Sequence, residues 1–405
     1  MVCTQTGRRI HFSVLFILIF FIAVNGFSQT RTAEIEQEQA EKAKTLMPPE
    51  RNKAEKLLTS LEGYFTGTGL GLYPLFFGSA FPGGGAAFGG GFRKAVGDNG
   101  AFDVHGLYSI AGYRLAETSF RLPTYAADSM TTTIHAKYQY ADEVSYFGIG
   151  NDTDEDAEAV YTYTPISFNL NQFIRVTDEF HVGGNVSYHD FDTSEGNSSR
   201  LPSLEEVFTP QEAPGFGLDF GYLSAGAFAE YDWRQSPGYS TSGGLYRVDW
   251  VNFIDRDSPE GFDFNRLEIQ LVQHIPILRA NQVLSFRGLA SITDTKGDDV
   301  IPFFLLPKLG GGSELRGFQD FRFRDNHRML LSAEYRWLPS KFMDMAIFYE
   351  VGKVANRTGD LDFEDLHDSY GIGARFHGPA LTALRIELAR SDEGIRLIFS
   401  GGAAF

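Results

Sequence analysis

Met343–Val354 reads MDMAIFYEVGKV. One parity carries Met343, Met345, Ile347, Tyr349, Val351 and Lys353, and the other carries Asp344, Ala346, Phe348, Glu350, Gly352 and Val354. Side chains that alternate with period 2 mark a strand with one apolar and one polar face. The pattern recurs on both sides of this stretch. Met329, Leu331, Ala333, Tyr335 and Trp337 oppose Arg328, Leu330, Ser332, Glu334 and Arg336. Arg385 and Glu387 oppose Leu384, Ile386 and Leu388. Arg247 and Asp249 oppose Tyr246, Val248 and Trp250, and Arg266, Glu268 and Gln270 oppose Leu267, Ile269 and Leu271.

A soluble sandwich, a propeller and a membrane barrel all produce alternation. These strands run to about 10–14 residues against a usual 5 or 6, and no blade-length repeat recurs. Together with the export segment described below, they favour an all-β fold, a transmembrane antiparallel β-barrel with lipid outside and a polar lumen. A closed barrel is the non-helical way to satisfy every backbone group in hydrocarbon. Strand centres near 72, 90, 107, 119, 137, 167, 185, 227, 246, 270, 287, 332, 349, 372, 385 and 400 make about 16 strands. Connections such as Thr177–Asp178, Gln235–Gly238, Leu338–Lys341 and His377–Pro379 are short, and 191–219, 294–326 and 356–366 are long. Short turns on one side and long loops on the other are the expected asymmetry. The glycine-rich stretch Gly83–Gly91 leaves the register of the first four strands open.

Composition narrows the classes. The 405 residues are 43% hydrophobic and 14% aromatic, with 44 Gly, one Cys and a net charge of -17. The chain is too apolar for general disorder. A single Cys excludes a disulfide framework or a Cys-based zinc site, and the acidic balance argues against nucleic acid as a partner. Mean hydropathy is -0.18, which opposes a helical membrane protein. Heavy aromatic content coexists with this value because each strand is half lipid-facing and half polar.

Arg8 and Arg9 precede the apolar run VLFILIFFIAV, Val14–Val24, and Gly26, Phe27 and Ser28 follow. This reads as a signal peptide over 1–28, too short for the roughly 20 residues of a spanning helix. Residues 29–62, rich in Glu, Lys, Gln, Ala and Leu, read as a charged, partly helical periplasmic leader. The barrel then occupies 63–405. In the closing stretch GIRLIFSGGAAF, Leu397, Phe399 and Phe405 share the apolar parity.

Leu309–Arg324 reads LGGGSELRGFQDFRFR. A glycine run followed by Leu-Arg-Gly-Phe resembles a loop of the BamA-like outer-membrane assembly, bacterial surface-antigen and two-partner-secretion transporter superfamily. The resemblance implies that Arg316, Gly317 and Phe318 fold back into the lumen. It assigns Phe348, Glu350 and Gly352 to a second motif of aromatic, acid and glycine at alternate positions, with Glu in place of the more usual Asp. Glu334-Tyr335-Arg336, the run Gly371-Ile372-Gly373-Ala374-Arg375 and Phe147-Gly148-Ile149-Gly150-Asn151 also look like the family, so Glu334, Arg336, Gly371, Gly373 and Arg375 are supporting lumen residues. A terminal Phe405 in register with Phe399 resembles the strand signal at the end of bacterial outer-membrane barrels. Larger members carry polypeptide-transport-associated domains before the barrel, and 29–62 is too short to hold one.

Glu350 lies on the polar parity, so Arg316 reaches it only from inside the barrel. A guanidinium–carboxylate pair would fix the loop's place. Stranding one member of a buried pair costs on the order of 3–5 kcal/mol, and a wet lumen would lower that. No nucleophile elbow, phosphate loop or metal-ligand set accompanies the pattern. Ser187 and His189 share the lumen parity, which opposes a lipase site on the lipid face. The expectation is a non-enzymatic barrel of the bacterial outer membrane, with no cofactor and no metal. It would help insert or translocate protein or lipid. Its partners would be outer-membrane lipids, a client protein or lipid, and a periplasmic partner reached through the leader. The alternative is a passive or plugged pore, or a structural barrel.

Overall fold

The computed structural model describes residues 70–257, 261–277, 281–297, 299–378 and 382–402. The expected signal peptide, the leader and Phe405 lie outside the described residues. The strands are β1 (Gly71–Gly78), β2 (Ala87–Val96), β3 (Gly100–Ser109), β4 (Arg114–Arg121), β5 (Met130–Tyr146), β6 (Ala159–Arg175), β7 (Phe180–Glu195), β8 (Phe220–Asp232) and β9 (Gly243–Asp255). They continue with β10 (Phe264–Ile277), β11 (Gln282–Thr295), the two-residue β12 (Lys308–Leu309) and β13 (Phe323–Arg324), β14 (His327–Trp337), β15 (Met343–Ala355), β16 (His367–His377), β17 (Thr382–Ser391) and β18 (Gly394–Ser400). Sixteen of them form one sheet in chain order, β11 pairing directly with β14, while β12 and β13 form a hairpin within the intervening loop. Every neighbouring pair in the large sheet is antiparallel. All sixteen strand centres read from the sequence fall inside these sixteen strands. Among the described residues β1 and β18 share no ladder.

The direction in which each face points decides the architecture. On β15, Met345, Ile347 and Tyr349 are 45–60% exposed, whereas Asp344, Ala346, Phe348 and Glu350 are at most 2% exposed. Leu331 on β14, Ile372 on β16, Leu388 on β17 and Ile395, Leu397 and Phe399 on β18 are likewise exposed. A sandwich or propeller would bury these apolar residues and leave the charges outside. A barrel in lipid reverses the arrangement. The glycine-rich start has a definite register, with Gly90 opposite both Pro74 and Gly106, and a bulge between Leu75 and Gly78.

The end that carries the long loops differs from a simple polar lumen. Inward-facing Tyr146, Tyr161, Tyr163, Phe191, Phe220 and Tyr222 form an apolar core with Ile301, Phe303, Phe304 and Phe321 of the 296–326 loop. Phe303 packs edge-on to Tyr146 and Tyr161 at 5.1 and 4.8 Å between centroids. Much of the aromatic content therefore fills the bore rather than facing lipid. The reason is geometric: an inward side chain beneath a folded loop is shielded from water as well as from lipid, so burial favours aromatics there. The length asymmetry also has exceptions, since 110–113 and 392–393 are short connections on the long-loop end.

Candidate functional site

Four strands place a ladder of polar residues on the inner wall. The register aligns Ser332, Glu350 and Ser369 in one row, and Glu334, Phe348, Gly371 and Ala389 in the next. Arg336, Ala346, Gly373 and Glu387 follow, then Asp344, Arg375 and Arg385. Period-2 alternation puts every one of these side chains on the same face.

The 309–326 segment descends onto this ladder. Arg316, only 1% exposed, lies among three carboxylates. Its Nη1 is 2.8 Å from Glu334 Oε1 and 3.0 Å from Glu387 Oε1. Its backbone N–H donates to Glu350 Oε2 at 2.8 Å. Nη2 lies 3.1 Å from Glu350 Oε1 but off the line of a hydrogen bond, so that contact is coulombic. The guanidinium carbon also sits 3.5 Å from the centre of the Phe348 ring, a favourable cation–π placement.

Each position of the second motif now has a physical role. Phe348 is the stacking surface and Glu350 the anion. Glu350 is itself held by Ser332 Oγ at 3.1 Å and Ser369 Oγ at 3.3 Å, both donating. Gly352 admits the root of the loop, since a Cβ there would lie 2.7 Å from the Met329 carbonyl oxygen and 3.1 Å from Leu309 Cδ1. Gly317 is required at the tip: an added Cβ would come within 2.8 Å of Ser369 Cβ and 2.9 Å of the Arg390 backbone. Gly371 leaves room for the Phe348 ring, 2.5 Å from where its Cβ would stand, and Gly373 does the same for Glu387. Leu315, just before Arg316, has φ 49°, an outlier for a bulky residue that the buried tip holds in place.

Charges continue below the tip. Arg375 Nη2 donates to both Glu334 oxygens at 2.7 Å and to Glu387 at 3.2 Å. Arg385 joins Glu387 at 3.3 Å and donates to the Gly312 carbonyl at 3.2 Å. Arg336 meets Asp344 at 3.2 Å. Arg316, Arg336, Arg375 and Arg385 thus face Glu334, Glu350, Glu387 and Asp344, four charges against four. The expected wet lumen is dry at this point, with Arg316 and Glu350 both about 1% exposed. Balanced pairing is what makes burial of so many ions tolerable.

Phe318 anchors the tip in an apolar cluster with Leu309, Leu315, Phe323, Leu330 and Val354. On the loop's return path, Arg322 donates to Thr153 Oγ1 and the Thr153 carbonyl at 2.6 Å each and pairs with Glu393 at 2.6 Å. Phe147–Asn151 crosses to the same place. Gly150 N donates to the Arg324 carbonyl at 2.8 Å, and Asn151 bridges Asp365 and Val354. Burial pushes the carboxyl of Asp320, in the same loop, above its ordinary range despite Arg396 nearby.

The structure therefore brings together Arg316, Gly317, Phe318, Glu334, Arg336, Glu350, Gly352, Gly371, Gly373 and Arg375. Phe399 stands apart on the lipid face. Sequence reasoning missed Glu387, Arg385, Asp344, Ser332 and Ser369 as members of the site. Their inward parity was readable, but their shared depth depends on strand register.

A model of the Omp85 superfamily domain matches residues 94–405. Among solved structures, BamA from Haemophilus ducreyi lacking POTRA domains 1-3 superimposes with a TM-score of 0.59 at 15% identity, over 82% of this chain and 69% of that one. CdiB from Escherichia coli superimposes with a TM-score of 0.54 at 11% identity, over 82% of this chain and 62% of that one. Likeness at these identities concerns the fold. Among curated proteins, none matches the sequence.

Proposed function

The chain belongs to the Omp85 superfamily, and from that premise we propose that it resides in the bacterial outer membrane and helps insert or translocate protein or lipid there. The observation that carries this reading is where the latched loop is fastened. Arg316 grips β14, β15 and β17, Gly317 seats against Arg390 of β17, and Asp320 meets Arg396 of β18 at 3.5 Å. The loop thus braces the strands that lead to the edge of the sheet. Both edge strands are short, β1 with 8 residues and β18 with 7. Releasing the loop would loosen the strands beside that edge, the part of a barrel that must give way for a chain or lipid to leave the bore sideways.

The test is reconstitution of the full chain in lipid vesicles with an unfolded outer-membrane barrel as client. Faster client folding than in empty vesicles, together with crosslinks from Lys53 of the leader to a protein in intact cells, is the expected result. Vesicles that behave like empty ones, with no crosslink, refute the reading. A closed structural barrel is the competing reading, supported by the neutral, water-poor cluster. Steady large conductance from the intact protein in a planar bilayer would instead favour a passive pore.

A further inference from the structure

The turn between β8 and β9 is not confined to its own hairpin. Residues 233–242 leave β8 at the short-turn end, where turns of two to five residues are the norm. Its tip contacts β14, β16 and β17, although β10 and β11 lie between β9 and β14 in the sheet. The Tyr239 ring stacks on His377 with centroids 3.6 Å apart and planes 13° apart. Arg336 Nη1 donates to the Ser240 carbonyl at 2.8 Å, and its guanidinium lies 5.0 Å from the Tyr239 ring centre. Thr382 N donates to the Gly238 carbonyl at 3.1 Å.

Arg336 and His377 lie on the inward parity of their strands, and Tyr239, Ser240, His377 and Thr382 are all buried. An aromatic at the tip of a turn is ordinarily exposed. This one is buried because the tip enters the bore. Arg336 also belongs to the charge cluster described above. From Ser240 the contacts run to Arg336, then Asp344 at 3.2 Å, Arg375 at 4.0 Å, Glu334 at 2.7 Å and Arg316 at 2.8 Å.

We propose that residues 233–242 are a second gate, closing the periplasmic end of the bore in series with the Arg316 latch, whose loop enters from the long-loop end. The two gates share one ion network, so loosening one weakens the other. Passage through the bore then requires both to open. This goes beyond the proposed role in insertion, and its tests involve no client, so either can fail alone.

Two measurements on the full chain test it. In planar bilayers, deletion of 309–326 alone, or replacement of 235–240 by Asn-Gly alone, should conduct at least about 10-fold less than the double variant. Heat-modifiable migration on gels confirms that each variant is folded. Conductance of the loop deletion equal to that of the double variant overturns the proposal. Independently, Ser240→Cys in a Cys3→Ser background should react slowly with a soluble maleimide. Reaction should become at least about 10-fold faster with His377→Ala, and faster also with Arg316→Ala. Rapid labelling already in the parent, or no response to His377→Ala, overturns it.

Discussion

Replacing Arg316 by Met keeps most of the side chain's volume over Phe348 and removes its charge. Glu334 and Glu387 retain Arg375 at 2.7 and 3.2 Å. Glu350 has no second guanidinium within ion-pair distance among the described residues and keeps only Ser332, Ser369 and the backbone N–H of residue 316. A carboxylate about 1% exposed and stripped of its cation should cost about 3–5 kcal/mol. At about 1.4 kcal/mol per power of ten, the undocked population of the loop rises by roughly two to three and a half powers of ten. Nonspecific proteolysis reports that population when opening is fast relative to cleavage. Cleavage within 309–326, located by mass, is therefore the assay.

The control is Glu350→Gln in the same background. It removes the stranded charge: the amide oxygen, placed where Oε2 stands, still accepts from Ser369 Oγ and the backbone N–H of residue 316, and the amide NH2 donates to Ser332 Oγ in place of the bond that Oε1 accepted. The double variant should recover about 1.5–3 kcal/mol of the loss, within the range expected of neighbours in one network. Losses that add within about 0.5 kcal/mol would mean that Arg316 and Glu350 do not depend on each other. The account of the latch would then be wrong.

Gly317→Ala should unseat the tip at a cost of about 1–3 kcal/mol, since its Cβ would meet Ser369 and the Arg390 backbone; loop cleavage at the parental rate would contradict this. Ile347→Arg, at a position 60% exposed on the lipid face, should cost up to about 2–4 kcal/mol near the bilayer midplane, measured as folding yield into vesicles, and an undiminished yield would move β15 out of the lipid. Docking of the loop should also depend on pH through Lys308, whose ammonium is brought down to about 7 by burial and by Arg324, Arg328 and Arg266, outweighing its place 4.1 Å over the Phe321 ring. The undocked lysine holds its proton up to its ordinary value of about 10.4 and the docked one only to about 7, so the contribution of Lys308 to loop protection should rise from pH 7 toward 10 and be constant below 7. Lys308→Met should abolish that slope, and a slope that persists would assign it to another group.

Much of the architecture was legible along the chain because a strand in lipid must alternate. Met343–Val354 separates Ile347 and Tyr349 from Asp344 and Glu350 with no knowledge of neighbours, and the connection lengths count the strands. The motif residues Arg316, Glu350 and Gly352 were legible because they recur at family spacing. The membership of Glu387 and Asp344 was not, because parity says which wall a side chain faces but not how deep it sits. Depth is set by the stagger between strands, which places Asp344 opposite Arg375 and Glu387 opposite Gly373.

The aromatic residues show the same division. Tyr161 and Tyr163 share a parity with polar lumen residues, and nothing local marks them as the floor of a loop core. Gln235–Gly238 reads as an ordinary turn, yet Gly238, Tyr239 and Ser240 meet Thr382, His377 and Arg336 from across the bore. Alternation, strand count and the Arg-Gly-Phe tip were determined by the sequence alone, because period and local chemistry are written in consecutive residues. Which charges balance one another, and which segments close the two ends, was decided only in the tertiary structure. Those contacts join residues that become neighbours once the sheet has curved and its register is set.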